Sequence, residues 1–258
     1  MLFFYFLSIL AALCWAIASL ISADITRSIG GLAFNRLRLF FVSIMLVTYT
    51  TIINTWSTVN LEYVNVILLS GIIGIFLGDT LLFMALQKIG PRRNNILFSL
   101  AAPFTVFLNI FFLKIDMSLI NLSGCFIVFI GVVVAIAYGS DKNSNHRWEV
   151  VQGSLILGII FGILAALCQS IGIIMMKPVL DAGADPIASA AIRTTISSIM
   201  LAFTFFLKSD KFVSKKPINF SIIKRSIISG FLGMALGMSV LLMALQNADA
   251  GVVATLSS

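Results

Sequence analysis

The stretch Ser70–Gln87, SGIIGIFLGDTLLFMALQ, occurs twice in this chain, and its second copy is Ser229–Gln246, SGFLGMALGMSVLLMALQ. The two copies align without a gap, and ten of their eighteen positions are identical. Each lies in an apolar run long enough for a helix to cross a bilayer, which takes about 20 residues. The match therefore indicates a membrane helix that is repeated within one chain.

Two further pairs of segments repeat in the same order. Ile9–Cys14 (ILAALC) recurs letter for letter at Ile163–Cys168, and Ala33–Leu46 aligns with Ala188–Leu201. The three pairs are offset by 154, 155 and 159 residues, so only short insertions separate the copies. We therefore predict that the chain contains two copies of one multi-helix unit.

The composition places these helices in lipid. Of the 258 residues, 60% are apolar and 10% are charged, and the mean hydropathy is +1.09. Soluble domains carry about 25% charged residues. The net charge of +7 does not indicate nucleic-acid binding, because most basic residues lie at the ends of apolar runs, where they orient membrane spans. We predict an all-α, polytopic membrane helix bundle.

Eight apolar runs have the length of a span, and a ninth begins near Gly251. The eight runs are Phe3–Ser22, Phe34–Trp56, Val64–Leu86, Ile96–Leu113, Leu119–Tyr138, Gly153–Met176, Ile187–Leu207 and Ile227–Leu245. The first repeat is predicted at residues 1–138 with five spans. A polar loop at 139–152 joins it to the second repeat at 153–258, which has three spans and the start of a fourth.

The number of spans predicts how the repeats lie. Because five is odd, the two five-helix repeats are expected to cross the membrane in opposite directions, as inverted repeats of secondary transporters do. Ser258 aligns with Ser99, so we expect the second repeat to be truncated, with the counterparts of the last one and a half helices missing.

Several short patterns carry a family resemblance. They are AALCWAIASL around Trp15, Arg38 leading the second span, Met84–Gln87 closing the third, and the block Leu97–Val134 with Pro103, Gly124 and Gly131. Together they resemble the ten-helix EamA-like branch of the drug/metabolite transporter superfamily, although Lys114-Ile115-Asp116 stands where that family usually has a glutamate. The resemblance implies export of small polar, amino-acid-like or drug-like metabolites without ATP hydrolysis, in a bacterial-type inner membrane.

Asp79 is the one acidic residue deep inside a predicted span. Intramembrane carboxylates are costly and usually face a cavity or a partner. We predict that Asp79 contacts the substrate or binds a coupling proton, and the alternative is a structural ion pair or a polar contact to a nearby helix. Its equivalent in the second repeat is Met238, which cannot do either.

Other polar or aromatic residues within spans are candidates for a substrate cavity. They are Trp15, Ser19, Gln169, Ser170, Asn95 and Ser99. Trp15 and Gln169 occupy equivalent positions, so both should face the axis that relates the repeats. The alternative role of these residues is to form hydrogen bonds between helices.

A second group is predicted to serve packing or gating. Arg38 and Arg193 are equivalent and could bind an anionic group, but we favour snorkelling to the interface or contact with helix-end carbonyls. Small residues let helices approach closely, which is the role predicted for Gly74, Gly78, Gly233 and Gly237. Pro103 is expected to bend the fourth span.

The sequence offers no enzyme or cofactor motif. It has no phosphate-binding G-x-x-x-x-G-K-[ST] loop, no H-E-x-x-H and no G-x-S-x-G, and its one histidine, His146, lies in the polar loop. We expect no cofactor or metal, a small-molecule partner in a lipid bilayer, and a proton as the candidate coupling ion. A transporter is the leading hypothesis, with a channel and a non-transporting sensor or assembly partner as alternatives.

Overall fold

The computed structural model describes residues 2–113, 119–138, 151–206, 214 and 216–258. Its α-helices are α1 (Leu2–Ile29), α2 (Gly31–Ile53), α3 (Val64–Ser70), α4 (Gly78–Phe98), α5 (Ala101–Leu113), α6 (Leu119–Tyr138), α7 (Leu155–Asp181), α8 (Pro186–Phe203), α9 (Phe220–Gly230), α10 (Gly237–Asn247) and α11 (Ala250–Leu256). Most of the predicted loop 139–152, and Lys114-Ile115-Asp116, lie outside the described residues.

Two of the segments that join consecutive α-helices are π-helical. The segment π1 (Gly71–Leu77) joins α3 to α4, and π2 (Phe231–Leu236) joins α9 to α10. Six continuous helical segments in the described residues are long and apolar enough to cross a membrane, and two shorter apolar helices lie at Ala101–Phe112 and Ser123–Ile136. The prediction of an all-α polytopic bundle is confirmed, and the described residues contain no strand.

Two glycines divide spans that run close together in sequence. Gly30, with φ 96°, separates α1 from α2, and Gly90, with φ 79°, interrupts α4. Both values lie in the left-handed region that glycine adopts without a steric penalty. Pro91 follows as the first residue of the next helical stretch, a position where its missing N–H costs nothing. The fourth span therefore begins at Pro91 rather than at the predicted Ile96.

The fourth span is interrupted at Ser99 and Leu100, and the bend expected at Pro103 stays a prediction. The first part of the span ends at Phe98, and α5 begins at Ala101. Proline has no N–H to donate to the carbonyl four residues earlier. Here the Ser99 carbonyl instead accepts from the backbone N–H of Ala102 at 3.1 Å.

The third span of each repeat packs against the first span of the other repeat. Ser70 Oγ donates to the Gly172 carbonyl at 3.0 Å, and the equivalent Ser229 Oγ donates to the Ala18 carbonyl at 3.3 Å. Gly172 and Ala18 are themselves equivalent under the offset of 154 that relates the first spans. The same hydrogen bond is thus made twice, which is the contact pattern expected of a two-repeat layout.

Glycines make this close packing sterically possible. A Cβ atom at Gly74 would lie 3.2 Å from α7, and one at Gly233 would lie 3.1 Å from α1. At Gly78 and Gly237 the corresponding distances to α7 and α1 are 3.2 and 3.0 Å. These four positions lie at helix contacts between the repeats, where small residues allow close approach.

Candidate functional site

A cavity of about 70 Å³ lies between the two repeats, close to the middle of the spans that surround it. Its walls come from α1, α2, both parts of α4, α7, π2 and α10. Five residues predicted from the sequence lie on these walls: Trp15, Ser19, Asp79, Asn95 and Gln169. Ligand sites of transporters built from repeats lie at such interfaces near the bilayer midplane.

One wall carries a buried ion pair between the second and third spans of the first repeat. Arg38 Nη2 donates to Asp79 Oδ2 and also to Asn35 Oδ1, the latter at 3.3 Å. Asn35 Nδ2 in turn donates to Thr80 Oγ1 at 3.2 Å. The Arg38 guanidinium stacks 4.5 Å above the Phe83 ring. Asp79 therefore has a fixed cationic partner on the cavity wall.

The snorkelling proposed for the two arginines is wrong. Arg38 is 4% exposed and Arg193 is 1% exposed, so neither side chain reaches an interface. The sequence pattern misled because each arginine lies about two helical turns from the start of its helix, which is also where a snorkelling residue would be found. In the structure both point between helices.

The second repeat lacks the acceptors that hold the arginine of the first. Among the described residues, Arg193 Nη1 donates to the sulfur of Met238 at 3.6 Å, and thioether sulfur is a weak acceptor. Within the described residues, Arg193 Nε and Nη2 have no hydrogen-bond partner. The equivalents of Asn35 and Asp79 are Ala190 and Met238, so the repeat has exchanged both acceptors for apolar or weakly polar groups.

The aromatic wall is held by hydrogen bonds to the other repeat and to the fourth span. Trp15 Nε1 donates to the Gly233 carbonyl in π2 at 2.7 Å, and its ring meets Phe98 edge to face at 6.0 Å. Ser19 Oγ donates to Asn95 Oδ1 at 3.0 Å. These contacts close the cavity on the side of α1 and Pro91–Phe98.

Two amide side chains on the walls have unused hydrogen-bonding atoms. Gln169 Nε2 and Asn94 Oδ1 are buried and have no partner among the described residues. Buried polar groups are nearly always paired with protein, water or ligand. The walls therefore contain one donor and one acceptor that could bind a polar ligand.

The structure places the remaining two predicted cavity residues elsewhere. Ser170 Oγ donates to the carbonyls of Ala101 and Ala166, at 2.8 and 2.9 Å, and lies off the cavity. Ser99 lines a neighbouring cavity of about 430 Å³ against α6, which shares Trp15, Asn95 and Phe98 with the first. For Ser170 the contacts correspond to the packing alternative.

Sequence reasoning missed part of the site. Phe98 and Met234 line the cavity without having been assigned to it, and neither π segment was expected. Asn94 also lines it, beside the predicted Asn95 at the start of the fourth span. Nothing in the apolar residues of π1 or π2 distinguishes a π-helix from an α-helix. Across the described ranges, no cluster of three His, Cys, Asp or Glu side chains could hold a metal ion.

The fold and the cavity define a multi-pass helical membrane protein with two repeats that enclose a polar site. The EamA-like transporter family matches the chain twice, at residues 2–137 and 156–258, and the chain belongs to this family. The family is one of membrane transporters and not of enzymes.

Comparison with solved structures supports the same fold. One of them, titled "Crystal structure of protein", superposes with a TM-score of 0.69 at 14% identity. The match covers 98% of this chain and 83% of that one. A search of the curated proteins found none that matches. The family and the two-repeat fold are thus confirmed, whereas the repeat boundaries and the roles of individual residues stay predictions.

Proposed function

We propose that this protein is a secondary transporter that moves a small polar solute across the membrane by alternating access of two inverted repeats. The observation that supports this most directly is the cavity between the repeats, which contains a buried Arg38–Asp79 pair and unused hydrogen-bonding atoms on Gln169 and Asn94. A wall with these polar groups in the middle of apolar spans is costly unless it binds something polar.

The packing between the repeats suggests how access could alternate. The third span of each repeat lies against the first span of the other through closely approaching glycines and one serine hydrogen bond. Small residues at such contacts leave little side-chain bulk between the spans, which favours rocking of the two repeats about the cavity. The paired π segments lie in these same two spans.

Asp79 is the residue whose replacement tests the proposal. The purified full chain is reconstituted in liposomes, and uptake of a panel of labelled small polar metabolites is measured with and without an imposed proton gradient. We expect saturable uptake that Asp79→Asn reduces at least tenfold, because its carboxylate holds Arg38 on the cavity wall. Asp24→Asn is the matched control, since Asp24 pairs with Arg225 away from the cavity.

The kinetics decide between classes of protein. Saturation at micromolar to millimolar solute concentration is the behaviour of a carrier, whereas flux that rises linearly, together with single-channel currents, would make the protein a channel. If no solute on the panel moves, either with or without the proton gradient, the transport proposal fails. A non-transporting membrane component would then be the better description.

A further inference from the structure

The buried charges beside the cavity do not balance. Of the charged side chains in the described ranges, three are buried: Arg38, Asp79 and Arg193. Two are cationic and one is anionic, which leaves one positive charge without a counter-charge in the middle of the protein. Arg193 contacts Met238, which lines the same cavity as Arg38 and Asp79, so the three charges belong to one region of the protein.

The uncompensated charge is located at Arg193. Its guanidinium lies between glycines of π1 and α7, since Cβ atoms at Gly74 or Gly172 would each come within 3.0 Å of Nη2. Met238, whose sulfur is 3.6 Å from Nη1, forms part of the cavity wall. The cation therefore lies directly behind a neutral side chain that faces the cavity, and no carboxylate of the described residues contacts it.

Most of the fully buried side-chain atoms without a hydrogen-bond partner at the cavity are donors. Unpartnered donors are Arg38 Nε, Gln169 Nε2 and, behind Met238, Arg193 Nε and Nη2. Among side-chain atoms that are fully buried in the walls, Asn94 Oδ1 is the one acceptor without a partner, counted over the described residues that line the cavity. Donors with positive charge favour an anion, and an isolated buried charge is strongly disfavoured until one arrives.

We infer that the solute bound in this cavity is a small monoanion, such as a carboxylate that also carries a hydroxyl donor, and not a zwitterion or a cation. The inference rests on the proposed transport function and names its solute class. The anionic group would lie toward Arg38, Gln169 and Met238, in the field of Arg193, and the donor would reach Asn94. Asp79 keeps Arg38 in place, so it does not cancel the charge of Arg193.

Four three-carbon solutes of nearly equal size test the charge preference. They are 2-hydroxypropanoate (charge −1), alanine (zwitterion), 2-hydroxypropanamide (neutral) and alaninamide (charge +1). The melting temperature of the full chain, purified in an uncharged detergent, is measured as each solute is titrated. We expect 2-hydroxypropanoate to bind at least about tenfold more tightly than the other three, as a favourable charge interaction within about 10 Å would produce.

Met238→Asp is the decisive variant, because it gives Arg193 the carboxylate that the first repeat supplies to Arg38. We expect it to weaken binding of 2-hydroxypropanoate at least about tenfold. Met238→Asn is the matched control of similar size, and we expect it to keep the preference for the anion. Arg193→Gln removes the excess positive charge directly and should also abolish the preference for the anion. It provides the test if Met238→Asp fails to fold.

The outcomes separate this inference from the proposed function. Equal effects of the four solutes, including no effect, or a preference for alanine or alaninamide, overturn the inference, as does an unchanged preference in Met238→Asp. Uptake in liposomes without charge preference would leave transport standing and the inference refuted. Preferential binding of the anion without uptake would support the inference and refute transport.

Discussion

Replacing Asp79 should destabilise the protein more than replacing its ion-pair partner Arg38. Both side chains are buried, and Arg193 adds a second buried cation against Met238 on the wall of the same cavity. Asp79→Asn therefore leaves two buried cations without a carboxylate. Arg38→Met leaves one cation and one anion, which still attract each other.

The magnitudes follow from this count. Breaking a buried pair by removing one partner costs about 3–5 kcal/mol, and we expect Asp79→Asn at the upper end of that range. For Arg38→Met we expect a loss of about 1–3 kcal/mol, because the carboxylate loses its hydrogen bond but keeps the attraction of Arg193. Since proteins are stable by only about 5–15 kcal/mol, both changes are measurable and the first is severe.

The free energy of unfolding is measured by titrating dodecyl sulfate into mixed micelles and following tryptophan fluorescence. Asp24→Asn serves as the control, because its partner Arg225 lies 3.6 Å away and both side chains are partly exposed, so the loss should stay below about 1 kcal/mol. Equal losses for Asp79→Asn and Arg38→Met, or a larger loss for Arg38→Met, would refute the idea that the cluster carries an excess cation.

Two further predictions concern the contacts between repeats. Gly71→Ala should lower the melting temperature, with a loss of about 1–3 kcal/mol from overpacking, since its Cβ would lie 2.8 Å from a backbone oxygen of α8. The control is Gly124→Ala, whose Cβ would meet nothing within 4 Å, so that variant should be neutral or stabilising. An equal drop in melting temperature for Gly124→Ala would show that the close approach at Gly71 is irrelevant. Trp15→Phe removes the hydrogen bond to Gly233 but keeps a ring, so it should cost about 1 kcal/mol in the same unfolding titration. A stability equal to wild type would mean that π2 does not depend on this donor.

The repeats made the general architecture predictable, because collinear matches fix equivalent positions whatever the details of the helices. The match of Trp15 with Gln169 predicted that both face one cavity, and both line it. Asp79 was identifiable from its chemistry alone, as a carboxylate in an apolar run. In each case, one residue type or one alignment carried the information.

The rest of the site depends on distances that the sequence does not contain. Arg38 and Asp79 are 41 residues apart, and only the packing of the second span on the third brings them together. The π segments arise from the backbone of apolar residues that serve equally well in an α-helix. Ser170 directly follows Gln169 in the sequence. Its hydroxyl donates to the Ala101 carbonyl that faces it, so it is used for packing.

The reciprocal packing of the third spans also determines the order in which this protein can be assembled. The Arg38–Asp79 pair forms within the first repeat, so its charges can be neutralised as soon as that half has entered the bilayer. Ser70 and Trp15, by contrast, find their acceptors 102 and 218 residues further along the chain. Such late contacts leave helices exposed to wrong partners until synthesis has progressed. The first repeat therefore enters lipid before the acceptors of Ser70 and Trp15 have been synthesised.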